Sequence, residues 1–381
     1  MRNINKKNIK HLILLFALVS VFMGSLIGNN QIGRFNTYFH PKIAQTEIDI
    51  VTPENKTYTK PMNGYYPASF GFEDTNNGDL PITNTLANWS DYSPYSDCSA
   101  EVVSEYLGHK KVLHIDDDNN AGKTYVRINT TNDITCGTIE YWVLYESAVA
   151  AFVLRTYDYD LSEFRFNFGI YSGKWIYYFG GGWNSIPAYD GTYDPVSDTW
   201  YHISLNFRCE GAPAYKGLEE NTFDVEINSI PSGGLKFRTN GTDMEYIYFE
   251  SQSAATTDNW VDAFSLSWDP NYNIGDNLNE GLLLSFDTNF SPDWQGYSLD
   301  GAVNKKILGN TTIPFPSDGI HNIQVYGNDT MGTIYESNLM YFTIDTISTS
   351  TPPNIPGYNL LIIMGIASLI GIMLIKKNFK K

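Results

Sequence analysis

Between its two apolar ends the chain is predicted to be all-β, and three observations predict it. Apolar residues recur at every second position in one run after another. The runs are short and broken by Gly, Asn, Asp and Pro, as strands and turns are in an antiparallel sandwich. Outside the ends, no long stretch carries the spacing of an amphipathic helix. With 15% aromatic residues, such strands have ample material for a packed core.

Taken in order, residues 29–66 are polar and punctuated by Pro41, Pro53 and Pro61, which makes them a lead-in rather than core. Residues 67–272 are dense in strand signals. Phe164, Phe166, Phe168 and Ile170 alternate onto one face, and residues 174–179 are a further β-rich run. Tyr201, Ile203, Leu205 and Phe207 oppose His202, Ser204 and Asn206. Phe223, Val225 and Ile227 repeat the pattern, as do Phe264, Leu266 and Trp268. A turn-rich break follows at 269–275. A second β unit spans 278–346, with its best strands at 282–286, 320–326 and 339–344. That is near the lower size limit for a self-sufficient sandwich.

The ends say where this β region lives. Lys6, Lys7 and Lys10 precede an uncharged run at 12–27, a signal peptide or an uncleaved signal anchor within residues 1–28. Residues 347–357 form a polar, Pro-containing stalk, and 358–375 an uncharged run closed by Lys376, Lys377, Lys380 and Lys381. As a helix its apolar core spans about 24–27 Å at ~1.5 Å per residue. That suits a membrane helix with a short cytoplasmic tail, 376–381. The expected location is the cell surface, with an extracellular ectodomain anchored in the cell membrane.

The chain carries 25 Lys+Arg and 42 Asp+Glu, a net charge of −17. All the charges in the two ends are basic, so the exported part is more acidic still. Such a surface repels nucleic acid and draws divalent cations. Cys98, Cys136 and Cys209 leave room for one disulfide and one odd thiol, with no pairing indicated. Histidines are scattered and no C-x-x-C occurs, so zinc has no support. Sequons at Asn55, Asn88, Asn129, Asn240, Asn289, Asn310 and Asn328 all fall in the exported part, as in a surface glycoprotein.

Several runs carry a family resemblance. Gly137-Thr138-Ile139-Glu140-Tyr141-Trp142-Val143 resembles the G-T-x-E-x-W-V strand of laminin G-like, concanavalin A-like domains. Phe70-Gly71-Phe72-Glu73-Asp74 resembles their opening strand, Asp198-Thr199-Trp200-Tyr201-His202-Ile203 their W-x-H strand, and Val261-Asp262-Ala263-Phe264-Ser265-Leu266 their closing strand. The resemblance implies a two-sheet jelly roll over about 67–270. Tyr297-Ser298-Leu299-Asp300-Gly301, Asp318 to Tyr326, Asn328 to Gly332 and Tyr341 to Asp345 are similar to bacterial-type Ig-like repeats. The tail is similar to the Pro-Gly-Phe sorting tails of archaeal surface proteins, with Tyr358 in place of the Phe.

Three clusters could carry chemistry. Asp224 and Glu226 share a strand face, but Thr222 stands where glucanases of this fold have the first acid of E-x-D-x-E, so a solvated outer face is expected. Asp116, Asp117, Asp118, Asn119 and Asn120 offer oxygen ligands without D-x-D-x-D-G spacing; an acidic turn is expected, calcium being the alternative and no other cofactor being called for. Trp183, Tyr189, Asp190 and Tyr193 lie in a Gly/Asp/Pro-rich loop, where rings beside carboxylates suit a sugar, and they are the candidate ligand-binding residues. The expected protein is a non-catalytic surface module binding a glycan or a protein partner. A structural envelope component and a glycoside hydrolase-like enzyme are the alternatives.

Overall fold

The computed structural model describes residues 47–346, apart from Ile82, Asn84, Thr85 and the segments 120–122, 159–163 and 252–255. The expected signal, stalk and membrane helix lie outside the described residues. Within them the chain is β throughout, its sole helical element a single 3-10 turn at Asp276–Leu278.

The larger unit is a jelly roll of two antiparallel sheets. The seven-stranded sheet runs in the order Gly182–Ser185, Lys174–Phe179, Phe164–Tyr171, Phe152–Tyr157, Met244–Ser251, Tyr125–Ile134 and Ala87–Asp91. The eight-stranded sheet runs Ile230–Pro231, Thr222–Ile227, Trp200–Arg208, Cys136–Tyr145, Thr257–Leu266, His109–Asp117 and Cys98–Tyr106, with Leu235–Lys236 also pairing Thr222–Ile227. The two-residue period sends Phe166, Phe168, Ile203, Leu205, Phe207 and Phe223 fully into the space between the sheets. Phe166 stacks on Phe223 across it at 4.6 Å. Each such side chain contributes roughly 1.5–3 kcal/mol of burial.

One expected feature differs. The opening strand at Phe70 is only a lone bridge to Phe264, the extended run being interrupted at Phe72, which takes a left-handed conformation (φ 65°). The closing strand ends at Leu266, as its motif does, and the alternation that runs on to Trp268 continues beyond the strand. A bulge between Asp262 and Ser265, with Ala263 at φ 47°, shifts its register.

The smaller unit is a second sandwich, and the lead-in belongs to it. Ile48–Thr52 pairs antiparallel with Leu282–Thr288, and Thr57–Tyr58 pairs parallel with Met340–Ile344. Ile48 is fully buried and Tyr58 nearly so, in the same core as Leu284, Val325 and Phe342. A stretch expected to be coil is therefore part of a core that the 278–346 segment alone would leave open. The jelly roll is inserted into this sandwich, so the chain enters and leaves it through one joint.

That joint is close-packed. Met62 N–H donates to Gly281 O at 3.2 Å, and Gly281 N–H to Tyr65 O at 2.9 Å. A Cβ at Gly281 would meet the Ile313 carbonyl at 2.2 Å, so only glycine fits. Glu73 of the jelly roll hydrogen-bonds Thr312 of the small sandwich, beside a cavity of about 170 Å³. Burial pushes its carboxyl up to about 8, so it is protonated at neutral pH.

Candidate functional site

Each jelly-roll sheet has one face in the core and one turned out, and the two outer faces are built from similar residues. On the eight-stranded sheet, alternation turns out Thr138, Glu140 and Trp142, with His202, Asn206 and Asp262 on the neighbouring strands. This face is sealed. Tyr272 O–H and Gly275 N–H both donate to Glu140 Oε2, at 3.0 and 2.7 Å. Trp142 Nε1 donates to Asn277 O, and His202 Nε2 pairs with Asn277 Oδ1. Tyr66 stacks on His109 at 4.4 Å, with Trp200 on the other side of the imidazole at 4.0 Å. Both connections to the small sandwich thus lie over this sheet.

Burial there favours neutral groups. Desolvation drives Asp262 well above the usual carboxylate range and His109 down to about 3, so the pair stays neutral, one proton between Oδ2 and Nδ1 at 2.8 Å. The Asp262 backbone neighbour Ala263 donates its N–H to the other carboxyl oxygen at 2.6 Å. Glu140 is raised by the same desolvation, against the two bonds it accepts.

Asp224 and Glu226 stand half-buried toward the edge of this face. Asn206 Nδ2 donates to Asp224 Oδ1 at 2.7 Å, while Lys216 and Tyr215 reach over from the preceding loop onto Asn206 and Thr138. The acidic run does not form a turn of converging ligands either. Asp116 and Asp117 are still in strand His109–Asp117 and face opposite ways. Asp117 is fully buried, accepting from Ser251 and Cys98. Asp116 rises to about 6, through desolvation first and then the charges of Asp258 and Asp118.

The outer face of the seven-stranded sheet is roofed by its own side chains. Register aligns Arg127, Tyr248, Arg155 and Asn167 on four successive strands, and Tyr178 and Trp183 are paired on the next two. At ~4.8 Å per strand, the row from Arg127 to Trp183 is about 24 Å long. Tyr178 and Trp183 meet edge to face at 5.2 Å; Tyr157 contacts Phe164 at 4.3 Å and Tyr248 at 5.0 Å. The Arg127 guanidinium lies over Tyr92, 3.8 Å from the ring centre, and donates to its hydroxyl. Arg238 covers Phe164 at 4.3 Å and Tyr178 at 4.5 Å. Underneath, Glu250 is fully buried between Arg155 at 2.8 Å and Lys123 at 3.0 Å. Desolvation raises its pKa, with the two cations opposing. Asn167 is 1% exposed and its Oδ1 accepts no hydrogen bond.

Of the residues expected to bind, only Trp183 belongs to this row. Tyr189 is a correction: 1% exposed, it donates to Val225 O and Ile230 O of the other sheet, closing the edge of the roll. Asp190 is exposed and pairs with Lys174 at 2.7 Å, a base shared with Asp194 at 2.8 Å. Tyr193 is 47% exposed, and its carbonyl accepts from the core Trp175 indole. The structure does not bring these three together with Trp183.

The three cysteines are all free. Asn55, Asn240 and Asn289 are exposed, whereas Asn88, Asn129, Asn310 and Asn328 are half-buried. Asn310 also accepts the Phe286 N–H through its side chain.

No protein-family model matches the chain, and no curated protein matches it. Among solved structures it is similar to a sialidase, at 10% identity and a TM-score of 0.42 over 55% of this chain. The chain spans only 19% of that sialidase's length. It is similar as well to the family 11 carbohydrate-binding module of the cellulosomal cellulase Lic26A-Cel5E of Clostridium thermocellum. There the identity is 14% and the TM-score 0.28, over 53% of this chain and 93% of that one. A third is the catalytic domain of an endo-1,3-beta-glucanase (laminarinase) from Thermotoga petrophila RKU-1, at 8% identity and a TM-score of 0.31, over 51% and 94%.

Proposed function

We propose that this is a membrane-anchored cell-surface protein whose jelly roll binds a glycan, without catalysis, on the outer face of the seven-stranded sheet. The observation that carries the reading is the row of rings and planar polar side chains between Arg127 and Trp183. Sugar C–H faces stack on rings, and guanidinium and amide edges take up hydroxyls. A sheet holds such groups at fixed spacing with little ordering to be done on binding. The sealed face offers the same chemistry with its donors and acceptors already used by the 272–277 connection.

The small sandwich, with its Ig-like sequence signature, serves as the base of the roll, next to the stalk and the C-terminal membrane helix. Glycosylation falls first on Asn55, Asn240 and Asn289, the exposed sequons. The test is a glycan array with the full-length protein in detergent micelles, alongside its Trp183→Ala and Tyr178→Ala variants. Binding that both variants weaken is expected. Binding that neither changes, or none to any glycan, would end the reading. Retention of the protein in membranes after alkaline washing tests the anchor; release into the wash would refute it.

A further inference from the structure

The arginines of this acidic chain are not spread evenly. Of the five among the described residues, Arg127, Arg155, Arg165 and Arg238 all gather at the outer face of the seven-stranded sheet; only Arg208 lies elsewhere. We propose that the ligand of this face is an acidic glycan, a linear oligosaccharide bearing carboxylate or sulfate groups on more than one unit. The proposal rests on the glycan-binding reading above and names the class of sugar.

Two of the arginines are committed to the protein. Arg155 holds Glu250, and Arg165 holds Asp158 at 3.1 Å and the Asp243 carbonyl at 2.9 Å. The other two carry no ion pair. Among the described residues no carboxylate lies within ion-pair distance of Arg127 or Arg238. Each guanidinium lies against aromatic rings, Arg127 on Tyr92 and Arg238 on Phe164 and Tyr178. Stacking fixes the plane of the group and leaves the N–H edges of Arg238, and those of Arg127 not given to the Tyr92 hydroxyl, for a planar or tetrahedral anion. With Lys123, five bases stand here against the two carboxylates they bind, in a chain whose net charge is −17.

Spacing selects a polymer over a single sugar acid. Arg127 and Arg238 are three to four strands apart, about 14–19 Å at ~4.8 Å per strand. One monosaccharide cannot bridge them; a chain with repeated acidic units can. The Asn167 acceptor without a partner, between them in the row, asks for a donor such as a sugar hydroxyl. A single-stranded nucleic acid would also stack and pair, and oligothymidylate is the arm of the test that separates it from an acidic sugar.

The test is a titration of the full-length protein in detergent micelles with oligogalacturonate, a sulfated oligosaccharide, an uncharged β-glucan and oligothymidylate of similar length. At least one acidic sugar is expected to bind at least tenfold tighter than the glucan and the oligothymidylate, and to weaken as salt rises. Arg238→Gln, on an exposed side chain, should lower that affinity about tenfold with unchanged circular dichroism, and Arg127→Gln should do likewise. Equal or tighter binding of the glucan would overturn the acidic-sugar inference while leaving the glycan reading intact. Binding of nothing would remove both. Oligothymidylate bound as tightly as the acidic sugar, or no loss in Arg238→Gln, would overturn the inference as well.

Discussion

The two outer faces of the jelly roll are built from one vocabulary and used in opposite ways. Both carry aromatic rings, a charged or titratable cluster and planar side chains in register. On the eight-stranded sheet the connections to the small sandwich take up the polar groups, and His202, Glu140 and Asp262 end up 2–3% exposed. On the seven-stranded sheet Glu250 and Asn167 are buried as deeply, but beneath their own sheet's side chains: Tyr157, Tyr178, Trp183 and Tyr248 are half-exposed, Tyr92 is 49% exposed, and an Asn167 acceptor is left over. Chemistry alone therefore does not mark a binding face; what covers it does. Both connections of the inserted roll cross the eight-stranded sheet, and the other sheet is left without them.

The contrast can be broken in several places. The largest effect is expected at Tyr189, which sits six residues from Trp183 but in the core. Tyr189→Ala should cost roughly 3–5 kcal/mol in denaturant unfolding and leave the affinity of the folded fraction unchanged. Glu73 at the joint comes next. Its folded pKa, about 8, lies above the ordinary value of 4.5, so the folded state binds the proton more tightly. Its contribution is full below about pH 4.5, falls as pH rises to about 8, and is flat above. Glu73→Gln should flatten that part of a stability-versus-pH profile.

On the sealed face, Asp262→Ala strands His109 Nδ1 and the Ala263 N–H, and should destabilise by about 1–3 kcal/mol without touching ligand affinity. On the open face the signs reverse: Trp183→Ala should lower affinity by about 2 kcal/mol and change the melting temperature little. Smallest of all, Asp190→Asn loosens an exposed ion pair and should move stability by less than about 0.5 kcal/mol and binding not at all. A binding loss there larger than that of Trp183→Ala would return the site to the loop.

The fold was legible because burial on one side writes a two-residue period directly into the sequence, as in 164–170 and 201–207. Ile48 and Ile50 carry the same signal, but over a strand too short to stand out beside so many prolines. The site was legible only in part. Trp183 shows itself through its Gly-rich surroundings. Arg127, Arg155 and Tyr248 do not, because they are far apart in the chain and meet only through strand order, which no local pattern encodes. The alternation of Tyr246 and Tyr248 against Ile247 and Phe249 was the available hint: two rings on the polar side of a strand. Tyr189 misled because a loop tyrosine reads as exposed until its hydroxyl is seen bridging to the opposite sheet.

Hydroxyl-radical footprinting of the full-length protein, with and without a bound glycan, tests the central claim most directly. Ligand should suppress oxidation at Tyr92, Tyr178, Trp183 and Tyr248, leaving Tyr66, Trp142 and Trp200 as they were. Suppression confined to Tyr66, Trp142 and Trp200, or to Tyr193 and its loop, would contradict the assignment of the ligand to the seven-stranded sheet.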